Sequence, residues 1–300
     1  MCFVYWHMTC SLETCANHEI ALRGDFVVPK ARSQTVPTRS LKTPLPKTRR
    51  ASRAMLSERA DSVTRNDRSP ANLVQTLGGT FARELGIHLA GRKASEIFKW
   101  FLASIFFGAR ISETIAVRTY REFENEGLVE PRKIVDRGWD GLTVVLDSGG
   151  YVRYDFKTAT KLLDVSRALL EKYGGNLNNL HTIASDARDL EGRLKALGKG
   201  IGDVTANIFL RELRGTWPKA EPLPSVLVLT AAKNLGLIPQ AMADQRDALQ
   251  LLKEQWRDDG NSLKRFADFE AALVRWGLAL RKQSRSQSYA SGYLARPESF

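Results

Sequence analysis

Three hundred residues, 43% of them apolar and 26% charged, are enough to build a buried core. That balance excludes a wholly disordered chain, a fibre and a membrane protein. Lysine and arginine number 45 against 33 acids, a formal charge of +12 that favours polyanionic partners, nucleic acid above all, and says nothing about fold.

The chain opens without a basic segment ahead of an apolar one, so no signal peptide is expected. Its three cysteines, Cys2, Cys10 and Cys15, are odd in number and clustered. A disulfide framework is therefore not expected, and a reducing, cytoplasmic setting is. Between Lys30 and Ser57 there are eight basic residues and no acid, with Pro37, Pro44 and Pro46 interspersed and Pro29 just ahead. Self-repulsion and missing amide donors both oppose packing, so residues 1–70 are expected to form a disordered basic arm. Met8 and Met55 offer alternative starts, and a start at Met55 would delete the arm; composition leaves the two readings open. Residues 1–70 carry 12 basic and 6 acidic residues, which is half of the whole charge excess.

Residues 71–282 carry helical periodicity almost throughout. Ala94 to Phe107 is apolar nearly all round, as a central buried helix would be. The longest charge-free apolar run, Trp100 to Ala109, is about half of the ~20 residues a bilayer crossing needs, so no membrane span is expected. Thr158 to Tyr173 repeats Leu162, Val165, Leu169 and Tyr173 at helical spacing, and Gly174-Gly175 stops it. Asp186 to Leu197 and Gly202 to Leu213 form a helix pair, a hairpin over 186–214. Phe266, Phe269, Leu273, Trp276 and Leu280 step by three and four, a seam for docking on other helices. Two runs, Leu142 to Leu146 and Val226 to Thr230, have a β-like composition that competes with an all-α fold. Residues 283–300 are polar and serine-rich, an expected disordered tail.

The segment with chemical content is the turn Leu197-Gly-Lys-Gly-Ile-Gly-Asp-Val-Thr-Ala-Asn207. Glycines at 198, 200 and 202 permit a tight turn with positive φ. The turn and the first turn of the next helix then hold unpaired N–H groups at the positive end of the helix dipole, a small anion site. A DNA phosphate fits such a site without any base being read. Lys199 can add a charge-assisted contact, and Ile201, Val204 and Ile208 are expected to anchor the second helix to the core.

Gly-Ile-Gly-Asp-Val-Thr-Ala-Asn resembles the helix-hairpin-helix signature of the endonuclease III and 3-methyladenine glycosylase superfamily. Phe101 to Thr114 resembles that family's early core helix and the DNA-facing loop after it. Thr158 to Tyr173 resembles the helix before the hairpin, and Leu227 to Leu237 the helix after it. The match covers residues 90–240 and extends more loosely to 282. It implies an all-α, two-lobed domain that binds double-stranded DNA through Gly198, Lys199, Gly200, Ile201, Gly202 and Thr205, with Arg110 in the loop facing a flipped base. An ordinary helix-terminal Arg110, paired with Glu113 or a helix end, is the alternative. Base-excision repair, a nucleoid-associated place in the cytoplasm and a monomeric state belong to the same expectation.

The catalytic groups that the resemblance implies are not all present. The family's Schiff-base lysine falls at Val204, which has no nucleophilic atom, so no lyase step is expected there. The family's aspartate falls at Pro224 or Ser225, leaving Glu221 as the nearby acid, either brought in by a rearranged proline-rich loop or simply a surface residue. Asp203 reads as a helix cap. With no cysteine beyond Cys15, no iron–sulfur cluster is expected, nor any other cofactor or metal. Tyr151 and Tyr154 could line a base pocket or belong to the core. Two alternatives to the binder remain: a monofunctional glycosylase using Glu221, and a protein-interaction scaffold without DNA affinity.

Overall fold

Every regular element in the computed structural model, which describes residues 68–294, is a helix. In chain order these are α1 (Pro70–Leu77), α2 (Phe81–Glu84), α3 (Ala94–Phe107), α4 (Glu113–Asn125), α5 (Pro131–Ser148), α6 (Asp155–Tyr173), α7 (Leu177–Ile183), α8 (Ala187–Lys195), α9 (Asp203–Leu213), α10 (Val226–Leu235), α11 (Gln245–Asp258), a 3-10 turn (Leu263–Arg265) and α12 (Phe266–Leu294). The all-α expectation holds for the described residues. The basic arm up to residue 67, the alternative starts and all three cysteines lie outside them.

Local chemistry accounts for many of the helix starts. Ser69, Ser112, Asp186, Ser225 and Asp244 are N-caps whose side chains accept from an amide of the first turn. Pro70 and Pro131 stand at the start of α1 and α5, where the missing N–H costs nothing. At the other end Gly174 stops α6 in the left-handed conformation (φ 62°), as its sequence predicts. Both β-like runs are helical: Leu142–Leu146 lies within α5 and Val226–Thr230 opens α10. Caps and burial at helical spacing (Leu142, Val145 and Leu146 on α5) outweigh the β-leaning composition. The expected tail also differs, since α12 continues through 283–294 instead of ending near 282.

The centre of the core is α3. Ile97, Trp100, Phe101 and Phe106 are buried on it, leaving little of the helix to face water. The Trp100 indole donates to the Phe209 carbonyl (3.1 Å), and the Phe101 and Phe209 rings meet edge-on at 5.1 Å. These contacts fix α9, the helix after the glycine-rich turn, against the most buried element of the protein. α9 packs in turn on α12, whose Phe266, Phe269 and Leu273 are buried as the periodicity predicts.

A charged layer ties α9 to its surroundings. Glu212 accepts from the Phe81 and Ala82 amides (2.8 and 2.7 Å), capping α2, and burial pushes its carboxyl up from the ordinary range. Arg214, just beyond α9, grips Glu270 of α12 through Nε (2.6 Å) and Nη2 (3.2 Å). The same guanidinium holds Glu221 (2.7 Å) and the Pro222 carbonyl (2.6 Å). The proline-rich loop before α10 is thereby fixed to the body, and Asn207 adds a bond to the Leu223 carbonyl at 2.7 Å.

Candidate nucleic-acid interface

The turn between α8 and α9 sits across α6 by two close approaches. A Cβ at Gly198 would stand 2.7 Å from Val165 Cγ2, and one at Gly200 would stand 2.7 Å from Lys161 Cε. Val165 and Lys161 are one helical turn apart on α6, so the two glycines straddle a single ridge of that helix. Of the three glycines only Gly200 has positive φ (94°). Gly202 is extended (φ −106°, ψ −173°) and a Cβ there would meet nothing within 4 Å. The turn thus uses one glycine for its backbone and one for its closeness, not three for flexibility.

The fate of each amide follows from the bonding. Ile201 N–H donates to the Gly198 carbonyl (3.1 Å) and Ala206 N–H to the Gly202 carbonyl (3.0 Å). The amides of Gly198, Lys199, Gly200, Gly202, Asp203, Val204 and Thr205 have no acceptor among the described residues, and Gly202 supplies no capping side chain. Those of residues 203–205 project along the axis of α9 from its positive end. Ile201 therefore serves as a buried anchor and not as a donor. Thr205 is buried with its hydroxyl towards Gly108, so it has only its amide to offer. Val204 does not anchor the helix: it is 62% exposed at the first turn, while Ala206, Phe209 and Leu210 form the buried face. Asp203 is also exposed, and its carboxylate pairs with Lys195 of α8 across the turn.

Gly108 closes against Thr205, which brings the loop after α3 beside the turn. Between that loop, α6 and Gly200 lies a cleft of about 700 Å³. Arg110 from the loop, Lys157 and Lys161 from α6, and Lys199 from the turn all line it. Asp164 is the lone lining carboxylate, against four cations. Among the described residues none of these five side chains makes an ion pair or a hydrogen bond, so Arg110 is not neutralised by Glu113. Burial lowers the Lys161 ammonium below the usual lysine value. Tyr151 and Tyr154 line the inner wall, Tyr151 almost fully buried against Phe106 (6.1 Å) and with its hydroxyl pushed up by burial. The lysines at 157 and 161 and the carboxylate at 164 share one face of α6, a spacing that in sequence reads as an ordinary solvated stripe.

The predicted catalytic positions lie elsewhere. Glu221 does not line the cleft; its carboxylate is shared by Arg214 and Lys253 (2.7 Å each). Ser225 spends its hydroxyl capping α10, accepting from Val228 N–H (3.4 Å), and Pro224 is buried. Among the described residues no three histidine, cysteine, aspartate or glutamate side chains gather as a metal site, and no helix is long and apolar enough to cross a membrane. No protein-family model matches the chain, and no curated protein matches it by sequence.

Proposed function

We propose that this protein binds duplex DNA by its phosphates, in the manner of the helix-hairpin-helix glycosylase superfamily, and serves base-excision repair. The observation that carries this reading is the run of unpaired amides from Gly198 to Thr205 opening beside a cleft lined by Arg110, Lys157, Lys161 and Lys199. Backbone donors at a helix start suit a phosphate oxygen, and unpaired cations around them suit the neighbouring charges along a strand. Gly200→Pro tests it. Proline requires φ near −65°, whereas Gly200 stands at 94° against Lys161, so the turn must open. Affinity for a 20-base-pair duplex is expected to fall by at least about ten-fold, with the helical circular dichroism retained. Unchanged affinity in a folded variant would remove the turn from the interface and leave an interaction scaffold.

A second reading, base removal by a monofunctional glycosylase, is favoured by Asp164. It is a carboxylate in the cleft beside Lys161 and close to the turn, where it could stabilise a cationic sugar or activate water. Glu221 is committed to Arg214 and Lys253 and lies outside the cleft lining. Duplexes carrying uracil, alkylated, oxidised or mismatched bases would be incubated with the protein and scored for abasic sites. The glycosylase reading expects product that Asp164→Asn reduces by about 100-fold or more and Glu221→Gln leaves in place. Product lost on Glu221→Gln but not on Asp164→Asn would return the role to Glu221.

A further inference from the structure

Outside the cleft, two large aromatic side chains meet water together. Phe156 at the start of α6 is 60% exposed, and Trp139 of α5 is 39% exposed. Their ring centroids are 5.2 Å apart with planes inclined by 34°, so they form one slanted apolar surface. The Trp139 indole donates to Thr160 Oγ1 (3.1 Å), and that hydroxyl donates to the Phe156 carbonyl (3.0 Å). A single threonine therefore ties the Trp139 indole to the turn of α6 that carries Phe156, and the same threonine lines the cationic cleft. The backbone of α5 is broken just ahead of the tryptophan: Gly138 adopts φ 71°, ψ 172°, a conformation populated essentially by glycine. A Cβ at Gly138 would meet nothing within 4 Å, so glycine is needed there for its dihedral angles and not for space. The break sets the direction in which α5 presents Trp139.

An exposed aromatic pair could cover a protein partner, a second copy of this chain or a nucleobase. Its surroundings favour the nucleobase. Lys157 follows Phe156 directly and turns into the cleft, and Thr160 stands between the rings and the lysines at 157 and 161. A polyanionic strand held by those cations brings its bases alongside the rings, the combination of basic groove and aromatic face by which unpaired nucleotides are bound. Resting on the DNA reading above, we propose that Trp139 and Phe156 form a stacking platform for a base left unpaired beside the duplex, giving this protein a preference for gapped or looped DNA over continuous duplex.

Two fluorescent duplexes, one fully paired and one with a three-nucleotide unpaired loop, would be titrated with the full-length protein and with Trp139→Ala, Phe156→Ala, Trp139→Phe and, as a control, Ile183→Ser. The unmodified protein is expected to prefer the looped probe by about ten-fold, since stacking one base contributes that much. Either alanine variant should bring the preference close to one while leaving affinity for the paired probe within about two-fold. Trp139→Phe, which keeps an aromatic face and loses the indole bond to Thr160, should keep most of the preference, and Ile183→Ser should keep all of it. Equal binding of both probes by the unmodified protein, or a preference that survives both alanine variants, overturns the platform and leaves the duplex reading standing. Binding of neither probe overturns both. A concentration-dependent dimer abolished by Trp139→Ala, without base preference, would give the surface to a second copy of the chain and overturn the proposal.

Discussion

The variant Lys157→Ala/Lys161→Ala/Lys199→Ala should lose about two orders of magnitude in duplex affinity at 0.1 M salt. These three lysines line the cleft beside the turn without an ion pair among the described residues, so their charge is available to a ligand. Each lysine that neutralises a phosphate releases condensed counterions, and a plot of log affinity against log salt should flatten by about one for each. The triple variant is therefore expected to reduce that slope by about three. Truncating Lys157 and Lys199, both exposed, should change stability little, whereas Lys161 packs its stem under Gly200 and should cost about 1 kcal/mol. A filter-binding or polarisation series from 0.05 to 0.4 M salt, about the range over which such contacts weaken, reads both quantities. A lower affinity with an unchanged slope would mean that the lysines act through packing. An unchanged affinity would move the DNA surface away from the cleft.

The largest expected loss of stability comes from Arg214→Met. Arg214 and Glu270 are both nearly dry, with side chains 2% and 1% exposed. Removing the guanidinium leaves the Glu270 carboxylate buried and unpaired, and the Pro222 carbonyl and Glu221 lose a donor as well. Breaking a buried pair in this way costs about 3–5 kcal/mol, which for a domain of this size lowers the melting temperature by roughly 10 °C. Adding Glu270→Leu should recover most of the loss, because two apolar side chains of similar volume replace a charge without a partner. Glu221→Gln should cost no more than about 1 kcal/mol, since that end of the network is 40% exposed and open to solvent. A double variant as unstable as Arg214→Met would show that the guanidinium acts by holding the proline-rich loop and not by pairing with Glu270.

Much of the architecture can be read in the sequence. Ala94 to Phe107 is legible to the residue as a helix whose apolar side chains cover almost all of its surface, with Ser95, Glu96 and Lys99 as the short polar edge near its start. The end of α6 is equally legible, since Gly174 is a stop that few other residues provide. What resists reading is whatever depends on two distant segments meeting. Lys157, Lys161 and Asp164 look like a solvated helix face until the turn is laid over α6. Trp139 and Phe156 are 17 positions apart and isolated among polar neighbours, and only the pairing of α5 with α6 makes them one surface. Val204 is apolar, but it stands on the side of its helix opposite the buried Ala206, Phe209, Leu210 and Leu213, so the core does not reach it. Glu221 is legible as the acid nearest the expected catalytic position, but its partners Arg214 and Lys253 come from elsewhere in the chain.

The two glycines that straddle the Lys161–Val165 ridge have a kinetic consequence. With Gly198 wedged on Val165 and the next helix pinned by the Trp100 indole, the donors of the turn are set in position when the chain folds. On the proposed DNA reading, an incoming phosphate would meet donors that require no rearrangement, so the ordering entropy would be borne at folding and not at docking. On that reading encounter would run as fast as electrostatic guidance permits, and the lifetime of the complex would be the quantity that substitutions in the turn tune.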